Sequence, residues 1–403
     1  MPVSTRITLF FLYVFAAAAP VSLSVGSIAA GGLIVSGLVR LAIDHEARAR
    51  IPRTLAFALV AWLAWMVLAT LLSGPYGMQL DTLGDETWIK LLVPTVAAAA
   101  YSVPRHVGRA LLVYLGMGTL MAIYGIYQHF TGNQFFDDAW IAGAGDRWHA
   151  VGAYGHHLSY GGHVVGMWLL AIAYATAQRA SRSSVRLALL VVAGILISLA
   201  FLWSHARSAQ LGGAMGLLVI ACFLPRPSRR VALGLLVIMV IAGALAPTSR
   251  DRFVAALDPD TEQTRTNLWQ TTTAGIADHP WTGYGVGNFR FVLREHEIQG
   301  LYESRAHAHN DLLMLAVTTG IPGALLFLGL IVVLAIETIR AARRGGPFAW
   351  IVIAALATHV ALTVGGLFQV YLTDDEVELT LYFLLGCAFA VAGHRQLEAA
   401  RTI

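Results

Sequence analysis

Apolar residues fill this chain in blocks, each closed by a short polar connection. A helical block of roughly 20 residues, rising about 1.5 Å per residue, spans the ~30 Å hydrocarbon core of a bilayer. Such blocks fall near residues 8–26, 27–43, 54–73, 89–103, 108–129, 159–177, 187–204, 208–224, 231–247, 311–336, 348–367 and 377–393. The pattern predicts an all-α polytopic membrane protein of about twelve transmembrane helices. The first pair reads as one helical hairpin, and the fourth block is short. A retained first helix is expected rather than a cleaved signal, because the apolar run continues past Pro20. No repeat is visible, nor the paired broken helices of many secondary transporters.

Two polar stretches interrupt this single integral membrane domain (1–403): residues 248–310 and 130–158. In the larger, Thr266 or Asn267 is placed to cap a helix through Leu268 and Trp269 to Ala277, which Asp278-His279-Pro280 ends. Gly283, Gly285 and Gly287 follow. Alternate glycines suit a tight turn or a close backbone approach to a ligand. No strand–helix unit surrounds them, which excludes a dinucleotide fold.

Composition sharpens the picture. The chain is 57% hydrophobic and 12% charged, with a mean hydropathy of +0.66. Soluble domains carry roughly 25% charged residues. Eighteen of the 27 basic residues sit in one alternating set of short connections, around Arg6, Arg40 to Arg53, Arg105 and Arg109, Arg179 to Arg186, Arg226 to Arg230, Arg340 to Arg344, and Arg395 and Arg401. The positive-inside rule puts these connections and both termini in the cytoplasm. The connections 74–88, 130–158, 203–207, 248–310 and 368–376 then face outward. The net charge of +4 is scattered between apolar runs and gives no nucleic-acid footprint. Lys90 is the one lysine, and Cys222 and Cys387 both lie inside apolar runs, so no disulfide framework is expected.

The candidate chemistry lies outward. Arg207, in Trp203-Ser-His-Ala-Arg207-Ser208, must sit at the membrane boundary, where an ionisable group either snorkels to headgroups or binds a ligand. Arg265, just before the expected helix N-terminus, and Arg147 and Arg290 are the other candidate phosphate forks. Arg250, Arg252 and Arg305 read as a solvated face, as do Asp137, Asp138, Asp146, Asp258, Asp260 and Glu262. His307-Ala-His309-Asn310 opens the next apolar block. A histidine there can be a general base near neutral pH, or simply an interfacial group bonded to backbone. Asp311 follows and is placed to orient the pair. Gly152-Ala-Tyr-Gly-His156-His157-Leu-Ser-Tyr-Gly-Gly-His163 suits either close helix packing or substrate binding. A metal is the lesser reading: His307 with His309, or His156, His157 and His163, are loosely spaced like ligands, but no Glu-x-x-His or dense carboxylate set accompanies them.

Taken in order, these motifs resemble the O-antigen ligase family, which shares a superfamily with O-antigen polymerases and protein O-oligosaccharyltransferases. The matching elements are Gly152 to Gly162 leading into a helix, Ser204-x-x-Arg207-Ser208 at a tight hinge, Arg265-x-x-x-Trp269, His279-Pro280-x-x-Gly283-Tyr284-Gly285-x-Gly287-x-Phe289, His307-x-His309-Asn310, and Gly320-Ile321-Pro322-Gly323 ten residues on. They cover about 150–325. The N-terminal third and the last two helices agree only in hydropathy.

The resemblance implies a glycosyltransferase of the bacterial inner membrane, with its site facing the periplasm. It would move O-antigen polysaccharide from undecaprenyl pyrophosphate, the donor, to a sugar hydroxyl of lipid A-core, the acceptor, with inversion and with no cofactor or metal. His309 would be the base, Arg265 and Arg207 would hold the pyrophosphate, and Arg147 would assist. His156, His157, Arg290, His307 and Asn310 would line the substrate site. A polymerase or protein oligosaccharyltransferase would use the same donor. A lipid-linked glycan flippase, from a different class, would line its pathway with charge inside the bundle.

Overall fold

The computed structural model describes residues 3–76, 83–84, 87–135, 141, 143–144, 147–178, 184–245, 263–298 and 307–401. It is an all-α bundle. Its helices are α1 (Val3–Ala18), α2 (Leu23–Ile43), α3 (His45–Ala49), α4 (Arg53–Leu72), α5 (Leu92–Ala100), α6 (Pro104–Thr131), α7 (His157–Gln178), α8 (Ser184–Trp203), α9 (Arg207–Phe223), α10 (Arg226–Leu245), α11 (Gln263–Asp278), α12 (Phe289–His296), α13 (Asp311–Arg343), α14 (Ala349–Gly365) and α15 (Asp375–Arg401). Two-residue strands, β1 (Gly143–Ala144) and β2 (Arg147–Trp148), pair antiparallel, with Ala144 opposite Arg147.

Every apolar block of the sequence lies on a helix. Among the described residues, five helices are long and apolar enough to cross a membrane: Leu23–Ile43, Arg53–Leu72, Pro104–Thr131, His157–Ala177 and Asp311–Arg343. Shorter apolar helices complete the bundle. Its flanks are greasy: Phe10, Ile28, Phe57, Leu189, Ile238 and Leu325 stand 61% to 77% exposed. Water does not tolerate apolar surface of that extent, and lipid does.

Some boundaries move. The first hairpin turns at residues 19–22 rather than near 26, because Ser22 caps α2 by accepting from Val25 N (3.4 Å). The fourth block is a 3-10 turn, Ile89–Leu91, leading into α5. Within residues 248–310 the described part includes two helices, α11 and α12, so the large connection is partly helical.

At the centre, α9 lies along α14, with α7 and α15 alongside. Small residues permit this. A Cβ at Gly212 would run into the Ala361 carbonyl, and one at Gly216 would lie 3.0 Å from the Ala357 carbonyl. Gly162 of the 152–163 run acts likewise: a Cβ there would lie 2.8 Å from Val377 and 2.9 Å from Tyr371. Lys90 and Glu378 form a buried ion pair at 2.5 Å, which ties α15 to the turn before α5.

Candidate active site

The site grows from the head of α13. Asn310 is the N-cap: its Oδ1 accepts from Leu313 N (3.0 Å), while its Nδ2 donates to the Leu367 carbonyl (2.9 Å). Asp311 N donates to the Gly366 carbonyl (2.8 Å). The Asp311 carboxyl oxygens accept from Tyr371 N and Leu372 N at 3.1 to 3.2 Å. The connection 366–374 is thus fastened along the turn that carries the histidines. His309 is buried in that seam with a φ of +49°, and its Nδ1 hydrogen-bonds the Gln369 Oε1. Among the described residues, only His205 (φ +53°) shares that left-handed backbone without being glycine. Such strain persists only where surroundings over-determine it, and it concentrates at functional sites. The His307 ring lies 4.3 Å from the His309 ring. Burial, then the neighbouring His309 and His156, push His307 down to about 3, so it is neutral at pH 7.

Two arginine-bearing turns from other helices are fastened to this seam. On α11 the indole N–H of Trp269 donates to the Ala308 carbonyl (3.0 Å). Arg265, one turn earlier on the same face, is half-buried there. The helix is already formed at Gln263, so Thr266 and Asn267 lie inside it and are not its caps, and Arg265 sits within its first described turn rather than ahead of it. Arg207 opens α9 and is exposed. The adjacent Ser208 hydroxyl bonds the Tyr371 hydroxyl at 2.8 Å, which fixes that hinge to the connection carrying Gln369.

The 147–157 segment closes a third side. The buried Gln128 side chain accepts from Val151 N (3.1 Å) and Gly152 N (2.8 Å). Ala150 N donates to the Trp203 carbonyl at 3.0 Å. His149 stacks on His157 at 4.0 Å and meets His205 edge-on at 5.3 Å; His156 lies 4.9 Å from His157. His129 stacks on Trp203 at 4.7 Å. His156 also interacts electrostatically with His307, which joins this imidazole row to the α13 turn. Arg147 is exposed at its rim, 5.2 Å from the Phe130 ring. His163 points away into the bundle, to Tyr114 (3.2 Å) and Thr380 (2.7 Å). Among the described residues, no three His, Cys, Asp or Glu side chains converge as metal ligands.

The structure therefore brings together His307, His309 and Asn310 with His156 and His157, and holds the turns bearing Arg265 and Arg207 against them. Arg290 is exposed on α12 with its guanidinium over Phe291 (5.0 Å). Arg250, Arg252, Arg305, Asp137, Asp138, Asp146, Asp258, Asp260 and Glu262 lie outside the described residues. Sequence reasoning misses Gln369, Tyr371, Asp374, His149 and His205. The polar run Gln369 to Glu376 between two apolar blocks is the available signal, but it holds no arginine or histidine.

The three alternate glycines approach the chain itself. Gly283, Gly285 and Gly287 have φ of +66°, +86° and +78°. Tyr284 N and Gly285 N donate to the carbonyls of Val317 and Thr318, both at 2.9 Å. Ile321 N returns a bond to the Pro280 carbonyl (2.8 Å). These contacts meet α13 where it breaks, at Gly320 (φ 74°, ψ 169°) just before Pro322. The turn after α11 is thereby welded to the broken helix. Tyr76 adds a second tie, bonding His279 (3.1 Å) and Glu295 (3.2 Å).

Residues 192–328 match the family model described as O-antigen ligase. A comparison with curated proteins returns no match. The matched segment runs from α8 through the break in α13, and so contains the Ser204–Ser208 hinge, Arg265, the glycine turn and His309. Over that segment the chain is similar to the O-antigen ligase family.

Proposed function

We propose that this protein transfers O-antigen polysaccharide from undecaprenyl pyrophosphate to a sugar hydroxyl of lipid A-core. It does so in the bacterial inner membrane, with both termini cytoplasmic and the site open to the periplasm. The observation that carries the reading is the seam at the head of α13. There a buried histidine, and the turns bearing two arginines from different helices, are fastened to one another beside an apolar bundle.

His309 takes the proton of the acceptor hydroxyl. The oxygen attacks the anomeric carbon on the face opposite the carrier. The bond from that carbon to the pyrophosphate oxygen breaks, and its electron pair leaves with undecaprenyl pyrophosphate, so the configuration inverts. Arg265 and Arg207 hold the pyrophosphate and neutralise the charge it gains, the task a divalent cation performs elsewhere. Arg147 assists from the rim. His156, His157 and the neutral His307 offer hydrogen bonds to sugar and phosphate oxygens. Asn310 acts by capping α13.

The test is reconstitution of the full chain with undecaprenyl-pyrophosphate-linked glycan and lipid A-core, with chelator and without nucleotide. A polymer ladder on lipid A-core is the expected product. Growth of the glycan on its own carrier would identify a polymerase with the same site. Translocation of the carrier-linked glycan without a new bond would overturn the proposal.

A further inference from the structure

We infer that Gln369 is the positioning residue of His309, fixing which imidazole nitrogen is the base; this rests on the reading of His309 as the base. Gln369 lies outside the segment matched to the family, in the connection between α14 and α15.

Both side chains are buried, His309 at 3% and Gln369 at 4% exposure. Gln369 Oε1 faces His309 Nδ1. A neutral imidazole has one N–H, and an amide oxygen can only accept, so the proton resides on Nδ1 and Nε2 keeps its lone pair for the acceptor hydroxyl. A carboxylate in that place would orient the ring too, but it would favour the imidazolium and raise the pKa. The uncharged amide orients the ring without adding a charge beside it.

The partner is held as firmly as the base. Residues on either side of Gln369 are tied to the α13 turn: Gly366 to Asp311 N (2.8 Å), Leu367 to Asn310 Nδ2 (2.9 Å), and Tyr371 N and Leu372 N to the Asp311 carboxyl. Tyr371 in turn bonds Ser208 beside Arg207. One connection thereby sets the ring angle of the base and the place of the arginine hinge.

The charged and titratable groups on the elements around His309 include His307 on its own turn, His156 before α7, Arg265 on α11, Arg207 on α9, Asp311 on α13, Tyr371 and Asp374 on the connection, and Asp375 and Glu376 in the first turn of α15. A substitution at 369 leaves all of these in place.

The experiment compares full-length Gln369→Leu, Gln369→Glu and His309→Ala in proteoliposomes with undecaprenyl-pyrophosphate-linked glycan and lipid A-core. Gln369→Leu is expected to lower kcat about tenfold or more with donor KM unchanged. Gln369→Glu is expected to restore turnover at higher pH, with the acid limb of the kcat profile moved up by about one unit. An unmoved acid limb in Gln369→Glu together with an inactive His309→Ala would overturn the positioning role while leaving the base in place. An active His309→Ala would overturn the base and this inference together.

Discussion

The indole N–H of Trp269 donates to the carbonyl of Ala308, the residue between the two histidines of the α13 turn. With the bonds of the 280–285 turn, it fixes α11 against the turn that carries His309, the proposed base. Trp269→Phe keeps most of the ring and loses the donor. Stability should fall by about 1 kcal/mol, as for one hydrogen bond, whereas turnover should fall by about tenfold or more because the arginine helix loses its register. Melting temperature and ligation rate, measured on the same preparation, separate the two effects. Equal activity would mean that α11 is held elsewhere.

Arg265 tests the nature of the cationic contact. Arg265→Lys preserves charge and removes the fork that grips a phosphate through two parallel bonds. A loss of about a hundredfold in kcat/KM is expected, on the scale of removing one donor to a developing anion. Near-normal rates in Arg265→Lys, with Arg265→Ala inactive, would show that a point charge suffices.

Much of this arrangement is legible in the sequence, and what is not has a physical reason. Helix placement follows from block length alone, so each apolar block lies on a helix. Arg207 and His309 stand out because each sits hard against an apolar block on the outward-facing side, where an ionisable group is expensive. The seam between residues 307–311 and 366–374 leaves no such trace. It joins segments about sixty residues apart through backbone bonds to one carboxyl, and backbone bonds have no residue signature. Asp311, placed by the sequence to orient His309 and Asn310, does so at one remove, by holding the connection that carries Gln369. The glycine turn misleads in another way. Alternate glycines announce a close backbone approach, but not to what; here it is the carbonyls of a broken helix.

That break gives a sharp contrast within one helix. Gly320 has φ 74° and ψ 169°, a region open to glycine alone, and a Cβ there would strike the Trp281 carbonyl. Gly329, nine residues on, faces open space: a Cβ there would meet nothing within 4 Å. Gly320→Ala should cost roughly 1–3 kcal/mol of backbone strain, plus the displacement of the 280–285 turn, and should lose activity with it. Gly329→Ala should be neutral or slightly stabilising, by up to about 1 kcal/mol. Thermal unfolding of both in detergent checks the pair; equal melting temperatures would remove the argument.

The ion pair of Lys90 and Glu378 invites a double-mutant cycle. Both are buried, at 2.5 Å, with the ammonium 5.6 Å from the Trp62 ring and 5.8 Å from the Tyr382 ring. Removing one partner strands a charge in a low-dielectric interior, at about 3–5 kcal/mol. Lys90→Met and Glu378→Met should each reduce folded yield sharply, and the double variant should recover most of it. If the double variant is as poor as either single, the pair contributes more than mutual neutralisation.

Acid should loosen the site through His307 and tighten it through Asp374. His307 is held down to about 3 against an ordinary value of 6.5. The unfolded chain therefore binds the extra proton between those values, and stability from this group is full above 6.5 and lost as pH falls toward 3. Asp374 runs the other way. Burial, with Asp375 beside it, lifts its carboxyl to about 6 from 3.8, against the Ser159 hydrogen bond. The folded chain binds the extra proton there, so its contribution is present below 3.8 and gone above about 6. His307→Gln should therefore flatten the fall in melting temperature between about pH 6.5 and about pH 4. Asp374→Asn keeps the bond from Glu376 N and can donate to Ser159, so it should raise the melting temperature near about pH 7.5 and converge with the unsubstituted protein near about pH 4. Unfolding curves across that range, recorded for each variant and for the two combined, read both slopes. Parallel curves for all of them would mean that neither group changes its protonation on unfolding.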